Sequence, residues 1–136
     1  VEGDGIAFAE ALAAQVGGRV NPYRPFLTAV VVLPDGHKVD VATARSEHYR
    51  TPAALPEVRT SLLRQDLYRR DFTINSLAVV LHGEAHGELV DFFGGRKDLH
   101  RGDIRVLHSL SFIDDPTRAI RAVRYSRRLD FAIAPD

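Results

Sequence analysis

The chain has 136 residues, of which 45% are hydrophobic and 26% charged, and eighteen basic residues balance eighteen acidic ones. That length can bury a real core, and the composition points to neither a disordered chain nor a membrane span, since no apolar run approaches about 18 residues. Cysteine is absent, which excludes disulfide staples and thiolate metal sites and is compatible with a cytoplasmic location. The chain opens on Val1 without a signal-peptide pattern, and we read it as a fragment holding one domain and the start of another.

In chain order, Asp4 is a predicted cap for a helix through Gln15 whose buried stripe is Ile6, Ala9, Leu12, Ala13 and Val16, ended by Gly17-Gly18. The β-branched run Leu27 to Leu33 reads as a strand. Pro34-Asp35-Gly36 is a turn signal, and His37 to Thr43 alternates in character, so the three segments predict a β-hairpin. Arg45 to Pro56 is polar and proline-bearing, which predicts a mobile loop. Two helices are predicted next, about Thr60 to Tyr68 and Phe72 to Leu81. Short strands are predicted at Glu88 to Phe92 and near Ile104 to Leu107, with Gly94-Gly95 between them. A final helix is predicted after Asp115, where Pro116 suits a first helical turn.

Charge is uneven along this order. From Arg101 to Arg128 there are seven arginines against Asp103, Asp114 and Asp115, so that end suits a phosphate-bearing partner. Only Lys38 and Lys97 are lysines. Arginine suits bidentate phosphate recognition, and a bias in genome base composition would produce the same preference.

Four segments carry candidate chemistry. Asp115 and Arg118 are three apart at a helix start and therefore neighbours. A carboxylate that accepts from an exocyclic amine, beside a guanidinium that donates to the adjacent ring nitrogen, matches cytosine and adenine and mismatches guanine and uracil. Ordinary capping and dipole complementarity account for the same two residues. In Arg69-Arg70-Asp71-Phe72-Thr73-Ile74-Asn75, arginines stand beside a predicted helix N-terminus that attracts anions, and Asp71 with Asn75 could hold a ribose. A capped helix with solvated arginines is the plainer reading. Asp40 lies in a strand on the face opposite Val39 and Val41, as a Mg²⁺ ligand for phosphoryl or nucleotidyl transfer would, but one carboxylate cannot make such a site. Gly94-Gly95 is either a tight turn or a hinge. His82-Gly83-Glu84-Ala85-His86 lacks zincin spacing, and its glycines mark a solvated turn rather than a metal site.

Arg69-Arg70-Asp71-Phe72-Thr73-Ile74-Asn75, Asp91-Phe92-Phe93-Gly94-Gly95-Arg96-Lys97-Asp98-Leu99 and Asp114-Asp115-Pro116-Thr117-Arg118-Ala119-Ile120-Arg121-Ala122-Val123-Arg124-Tyr125, in this order, resemble the class II tRNA nucleotidyltransferase and bacterial poly(A) polymerase family. Val1 to Gly5 is similar to the stretch directly after that family's metal-binding Asp-x-Asp. The resemblance implies an α/β (α+β) fold: an incomplete polymerase β-like nucleotidyltransferase head over 1–100, with an antiparallel hairpin and flanking helices, and the start of an all-helical neck over 101–136. It implies template-independent addition of C and A, or of A alone, to the 3′ end of tRNA or another RNA from CTP and ATP, with Mg²⁺ held mostly by residues upstream of Val1.

Carried over by position, the resemblance makes Asp115 and Arg118 the base readers. Arg70, Arg121 and Arg124 become contacts to phosphates or nearby RNA, Asp71 and Asn75 ribose contacts, Gly94 and Gly95 the link between head and neck, and Asp40 a carboxylate near the metal site. The segment from Arg45 to Leu67 is where a switch from C to A addition is expected. Neither Asp-x-Asp nor Gly-Gly-x-x-Arg-Asp occurs here, and Asp114 stands where the family usually has Glu, so the fragment by itself is expected to be inactive. A poly(A) polymerase would carry nearly the same motifs. A noncatalytic RNA- or nucleotide-binding domain is the alternative from another class, and an Asp-x-Asp upstream of Val1 would decide against it.

Overall fold

A computed structural model describes residues 1–48 and 57–135, which divide into two compact units, 1–48 with 57–66 and 67–135. The first unit is built on α1 (Gly5–Val16), whose first turn is capped by Asp4: its Oδ1 accepts from the backbone N–H of Ile6 and of Ala7, each at 3.0 Å. Gly17 ends the helix in the left-handed conformation at φ 70°, which glycine adopts without a Cβ penalty. Three strands follow, β1 (Arg19–Tyr23), β2 (Thr28–Val32) and β3 (Lys38–Ala42), in an antiparallel sheet of that order.

The β2–β3 hairpin falls where the alternation places it. Ala29 and Val31 of β2 and Val41 of β3 turn inward and close a core with Ile6, Ala9 and Ala13 of α1. Leu12 packs at its margin, while Val16, expected in the buried stripe, is 38% exposed because the helix ends there. β1 was not legible in the sequence. Arg19-Val20-Asn21-Pro22-Tyr23 is polar and carries a proline, both compatible with a strand only at a sheet edge, and β1 is indeed the outer strand.

Arg45 to His48 is not loop but a strand, β4 (Arg45–His48), paired antiparallel with β5 (Glu57–Thr60). The rest of the expected loop, 49–56, lies outside the described residues. β5 takes the start of the helix expected from Thr60, leaving α2 (Leu63–Tyr68). The Arg45 N–H donates to the Asp66 carboxylate at 3.2 Å, tying β4 to α2.

In the second unit the expected helix from Phe72 to Leu81 is absent. A single 3₁₀ turn, Thr73–Asn75, is followed by β6 (Ala78–Val79), paired with β7 (Leu89–Val90). The reason is visible at Ser76: its hydroxyl bonds the Thr73 carbonyl at 2.7 Å and competes with a helical continuation. α3 (Gly95–Arg101) and β8 (Asp103–Ile104) lead to α4 (Ser111–Asp114) and α5 (Thr117–Leu129), and β9 (Ala132–Ile133) returns parallel to β8. The core joins Phe72, Ile104 and Ala122, with Ile74, Val106, Tyr125 and Phe131 packed around them. Phe72 meets the Tyr125 ring edge-on at 5.6 Å, a favoured aromatic geometry. No helix among the described residues is long and apolar enough to cross a membrane.

Candidate functional site

The second unit gathers most of the sequence-predicted residues around one face of α5. Asp71 is the hub. Its Oδ1 accepts from the Phe72 N–H and the Asn75 amide, each at 2.9 Å, and its Oδ2 accepts from Arg121 Nε at 2.8 Å and Nη2 at 2.6 Å. A carboxylate offers about four lone-pair sites, so all of them are used. Asn75 reaches Asp71 because the 3₁₀ turn between them brings their side chains together. Arg70 closes the same turn from outside, donating to the Asn75 carbonyl at 3.2 Å.

Arg121 is therefore paired with Asp71, while its side chain stays 47% exposed. Its hydrogen bond to Asp71 raises its pKa above the ordinary value, burial works the other way, and the Asp71 charge adds to the rise. Its guanidinium also lies 5.5 Å from the centre of the Tyr125 ring, within cation–π range. Arg121, Arg124, Tyr125 and Arg128 line one recess along α5, and Arg124 is exposed.

One turn earlier, Arg118 is almost fully buried, with 5% of its surface exposed. Nη1 donates to the Ser111 hydroxyl at 2.6 Å and Nη2 to the Arg69 carbonyl at 2.8 Å. Burying a guanidinium is costly unless it is paired and hydrogen-bonded, and here two neutral acceptors fix its plane. Asp115 stands beside it, its Oδ2 3.9 Å from Arg118 Nε, too far for a hydrogen bond but close enough for mutual attraction. The other Asp115 oxygen caps α5, accepting from the Thr117 N–H at 2.9 Å and the Thr117 hydroxyl at 2.6 Å. Capping and side-by-side presentation thus coexist in one residue, which the sequence posed as alternatives.

Gly94 and Gly95 form the entrance to α3. Gly94 has φ 77°, and a Cβ on Gly95 would lie 2.2 Å from the Thr73 carbonyl oxygen, so neither position accepts another residue without strain. Asp91 clamps this turn. Oδ1 accepts from the Gly95 N–H at 2.9 Å and Oδ2 from the Arg96 N–H at 3.0 Å. Burial alone would raise the Asp91 pKa, but backbone hydrogen bonds from Arg96, Gly95, Phe93 and Gly94 outweigh it and the carboxyl ends below its ordinary value. Asp98 of α3 accepts from the Thr73 hydroxyl at 2.7 Å, which locks α3 to the 3₁₀ turn.

Asp40 is exposed on β3, in the first unit and opposite Val30 of β2. Among the described residues no three of His, Cys, Asp and Glu come together as a metal site, so these residues by themselves do not fit a Mg²⁺ centre. His82, Glu84 and His86 sit on an exposed turn in which Gly83 and Gly87 take positive φ. Sequence reasoning missed Ser111, the Arg69 carbonyl and Tyr125. Ser111 is seven residues before Arg118, and the interruption of helix between α4 and α5 at Asp115-Pro116 hides that they touch.

The pattern of the poly A polymerase head domain matches residues 1–105. An A-adding tRNA nucleotidyltransferase of Geobacter sulfurreducens is 59% identical over 98% of this chain and 15% of its own length. Another A-adding tRNA nucleotidyltransferase, of Halalkalibacterium halodurans, is 49% identical over 96% of this chain and 31% of its own length. A solved CCA-adding enzyme in an apo form superposes with a TM-score of 0.93 at 47% identity, covering 98% of this chain and 32% of that one. The chain thus spans about a sixth to a third of the relatives it matches. A mixed α and β fold with antiparallel hairpins, the ordered Arg-Arg-Asp, Gly-Gly and Asp-Asp-Pro-Thr-Arg segments, and these similarities together identify the chain as a member of the poly A polymerase head-domain family.

Proposed function

We propose that the protein carrying this chain is a template-independent nucleotidyltransferase that adds A, alone or after C, to the 3′ end of tRNA. The relatives named A-adding support the A-only form. In the reaction the RNA 3′ hydroxyl attacks the α-phosphorus of the nucleoside triphosphate and pyrophosphate leaves. Residues 1–100 form the head and 101–136 begin the neck, with Gly94-Gly95 near the join. The Mg²⁺ implied by the family would take its ligands from outside the described residues, with Asp40 at most an accessory, and the cytoplasm, where tRNA is processed, is the expected location.

The observation that carries this reading is the fixed Asp115–Arg118 pair, 3.9 Å apart. The guanidinium has five N–H groups and uses two of them on Ser111 and Arg69. The remaining donors stand near a carboxylate acceptor while only 5% of the Arg118 surface is exposed, so in this reading a base that reaches the pair would meet acceptor and donor in the order that adenine and cytosine complement. Guanine and uracil present a carbonyl and a ring N–H to the same edge and leave both protein groups facing like partners. In this reading Asn75, held by Asp71, would be the sugar contact, and the exposed Arg70 and Arg124, with Arg121, would give the phosphates and RNA a cationic border.

The test is Arg118→Ala in the full-length protein, assayed with all four nucleoside triphosphates on tRNA ending before C, tRNA ending in CC, and unstructured RNA. Choice among nucleotides is expected to fall by about tenfold or more, the scale of about 1–3 kcal/mol for a bidentate base contact. An unaltered preference would remove Arg118 as a base reader. Efficient extension of unstructured RNA would favour a poly(A) polymerase, and no transfer on any RNA would favour a noncatalytic nucleotide- or RNA-binding domain.

A further inference from the structure

Ser111 touches both members of the pair just described, although it belongs to a different helix. Its hydroxyl is fully buried and its oxygen accepts a hydrogen bond from Arg118 Nη1 at 2.6 Å. Its backbone carbonyl takes the Asp115 N–H at 3.2 Å, and its own N–H is tied to the His108 carbonyl at 3.1 Å. α4 is thereby anchored at Ser111, and the anchor is passed to both residues that present a polar edge. Arginine has many rotamers and no intrinsic reason to hold one plane. The Arg69 carbonyl fixes Nη2, but one hydrogen bond leaves the guanidinium free to swing about it, and the second bond, to Ser111, removes that freedom.

We propose that Ser111 is a positioning residue for nucleotide choice: its hydroxyl sets the plane of the Arg118 guanidinium and its carbonyl sets the backbone of Asp115, so the base meets a preset donor and acceptor. This rests on the base-reading assignment above. Without the hydroxyl, Nη1 loses its buried acceptor, and the side chain relaxes into rotamers whose N–H groups no longer match the ring nitrogen of the base. A mismatched nucleotide then loses less than it does in the native site, and discrimination falls while the reacting groups remain.

The experiment compares Ser111→Ala, Ser111→Cys and Ser111→Thr with Arg118→Ala in the full-length protein, reading kcat and KM separately for ATP, CTP, GTP and UTP on tRNA. Ser111→Ala and Ser111→Cys are expected to lose about tenfold in the ratio of correct to incorrect nucleotide, mainly through KM, and Ser111→Thr, which keeps the oxygen, is expected to restore it. Ser111→Cys nearly conserves volume and keeps the test decisive where the alanine variant folds poorly. If both hydroxyl-free variants keep the native ratio while Arg118→Ala abolishes it, Ser111 has a structural role only and the proposal is overturned. If Arg118→Ala also keeps the ratio, the base-reading assignment itself falls and takes this one with it.

Discussion

Asp71 accepts four hydrogen bonds from three residues, so a ribose hydroxyl that approached it would have to share an occupied lone pair. The carboxylate acts through what it holds: Asn75 on one oxygen and Arg121 on the other. We expect Asp71→Ala to weaken the discrimination between ATP and dATP by about tenfold and to lower folding stability by about 2 kcal/mol, the scale of hydrogen bonds to a charged group. Steady-state kinetics with both sugars and denaturant unfolding measure the two effects separately. Equal relative use of the two sugars before and after the change would count against a sugar-reading role, whatever happens to stability. Arg118 shows the complementary case, a buried cation whose partners are a hydroxyl and a backbone carbonyl, so that its orientation is determined by groups that carry no charge.

At the level of elements, the helix ends explain where the candidate residues stand. α5 starts where Asp115 caps it, and the same residue, by leaving one oxygen uncommitted to the cap, faces Arg118 on the first turn. α3 starts where Asp91 gathers backbone N–H groups. Because those bonds hold the Asp91 pKa below its ordinary value of 3.8, its contribution is fully present above the unfolded-state pKa and is lost as pH falls through the lower folded-state value. Asp91→Asn should therefore be less stable than the native chain at neutral pH, by about 1 kcal/mol on the scale of helix caps. The two proteins should converge in stability once the pH drops below the folded carboxyl value. Thermal unfolding from pH 7 down to acid checks this, and a gap that persists undiminished in acid would show that the shifted carboxyl is not its source.

For the whole molecule, two compact units carry different parts of the candidate chemistry: the first holds the sheet with Asp40, and the second holds Arg70, Arg121 and Arg124, Asp71 and the Asp115–Arg118 pair. No Asp-x-Asp occurs in the 136 residues, and among those described no acidic cluster assembles a metal site. The isolated chain, given Mg²⁺, ATP, CTP and tRNA, is expected to transfer no nucleotide, which a radiolabelled end-addition assay would read directly. Measurable turnover by this chain alone would mean that Asp40 has carboxylate partners that its sequence neighbours do not reveal.

Local sequence was sufficient wherever one short-range rule acted alone. The Asp4 cap, the α1 stripe and the Pro34-Asp35-Gly36 turn between β2 and β3 follow from periodicity and capping, and the start of α5 follows from Asp115-Pro116. It was insufficient where distant backbone decided. Phe72 to Leu81 has helical periodicity, but the Thr73 N–H bonds the Arg105 carbonyl at 2.9 Å and the Ser76 hydroxyl takes the Thr73 carbonyl, so a 3₁₀ turn and a strand form instead. Arg45 to His48 became a strand because β5 supplies its partner. The candidate residue types for reading a base and a sugar, as proposed above, could be named from the chain, since charge and hydrogen-bonding capacity belong to side chains. Which of them are spent on one another, as Arg121 is on Asp71 and Arg118 on Ser111 and Arg69, was set only by folding, because those pairings join positions 7 to 50 residues apart.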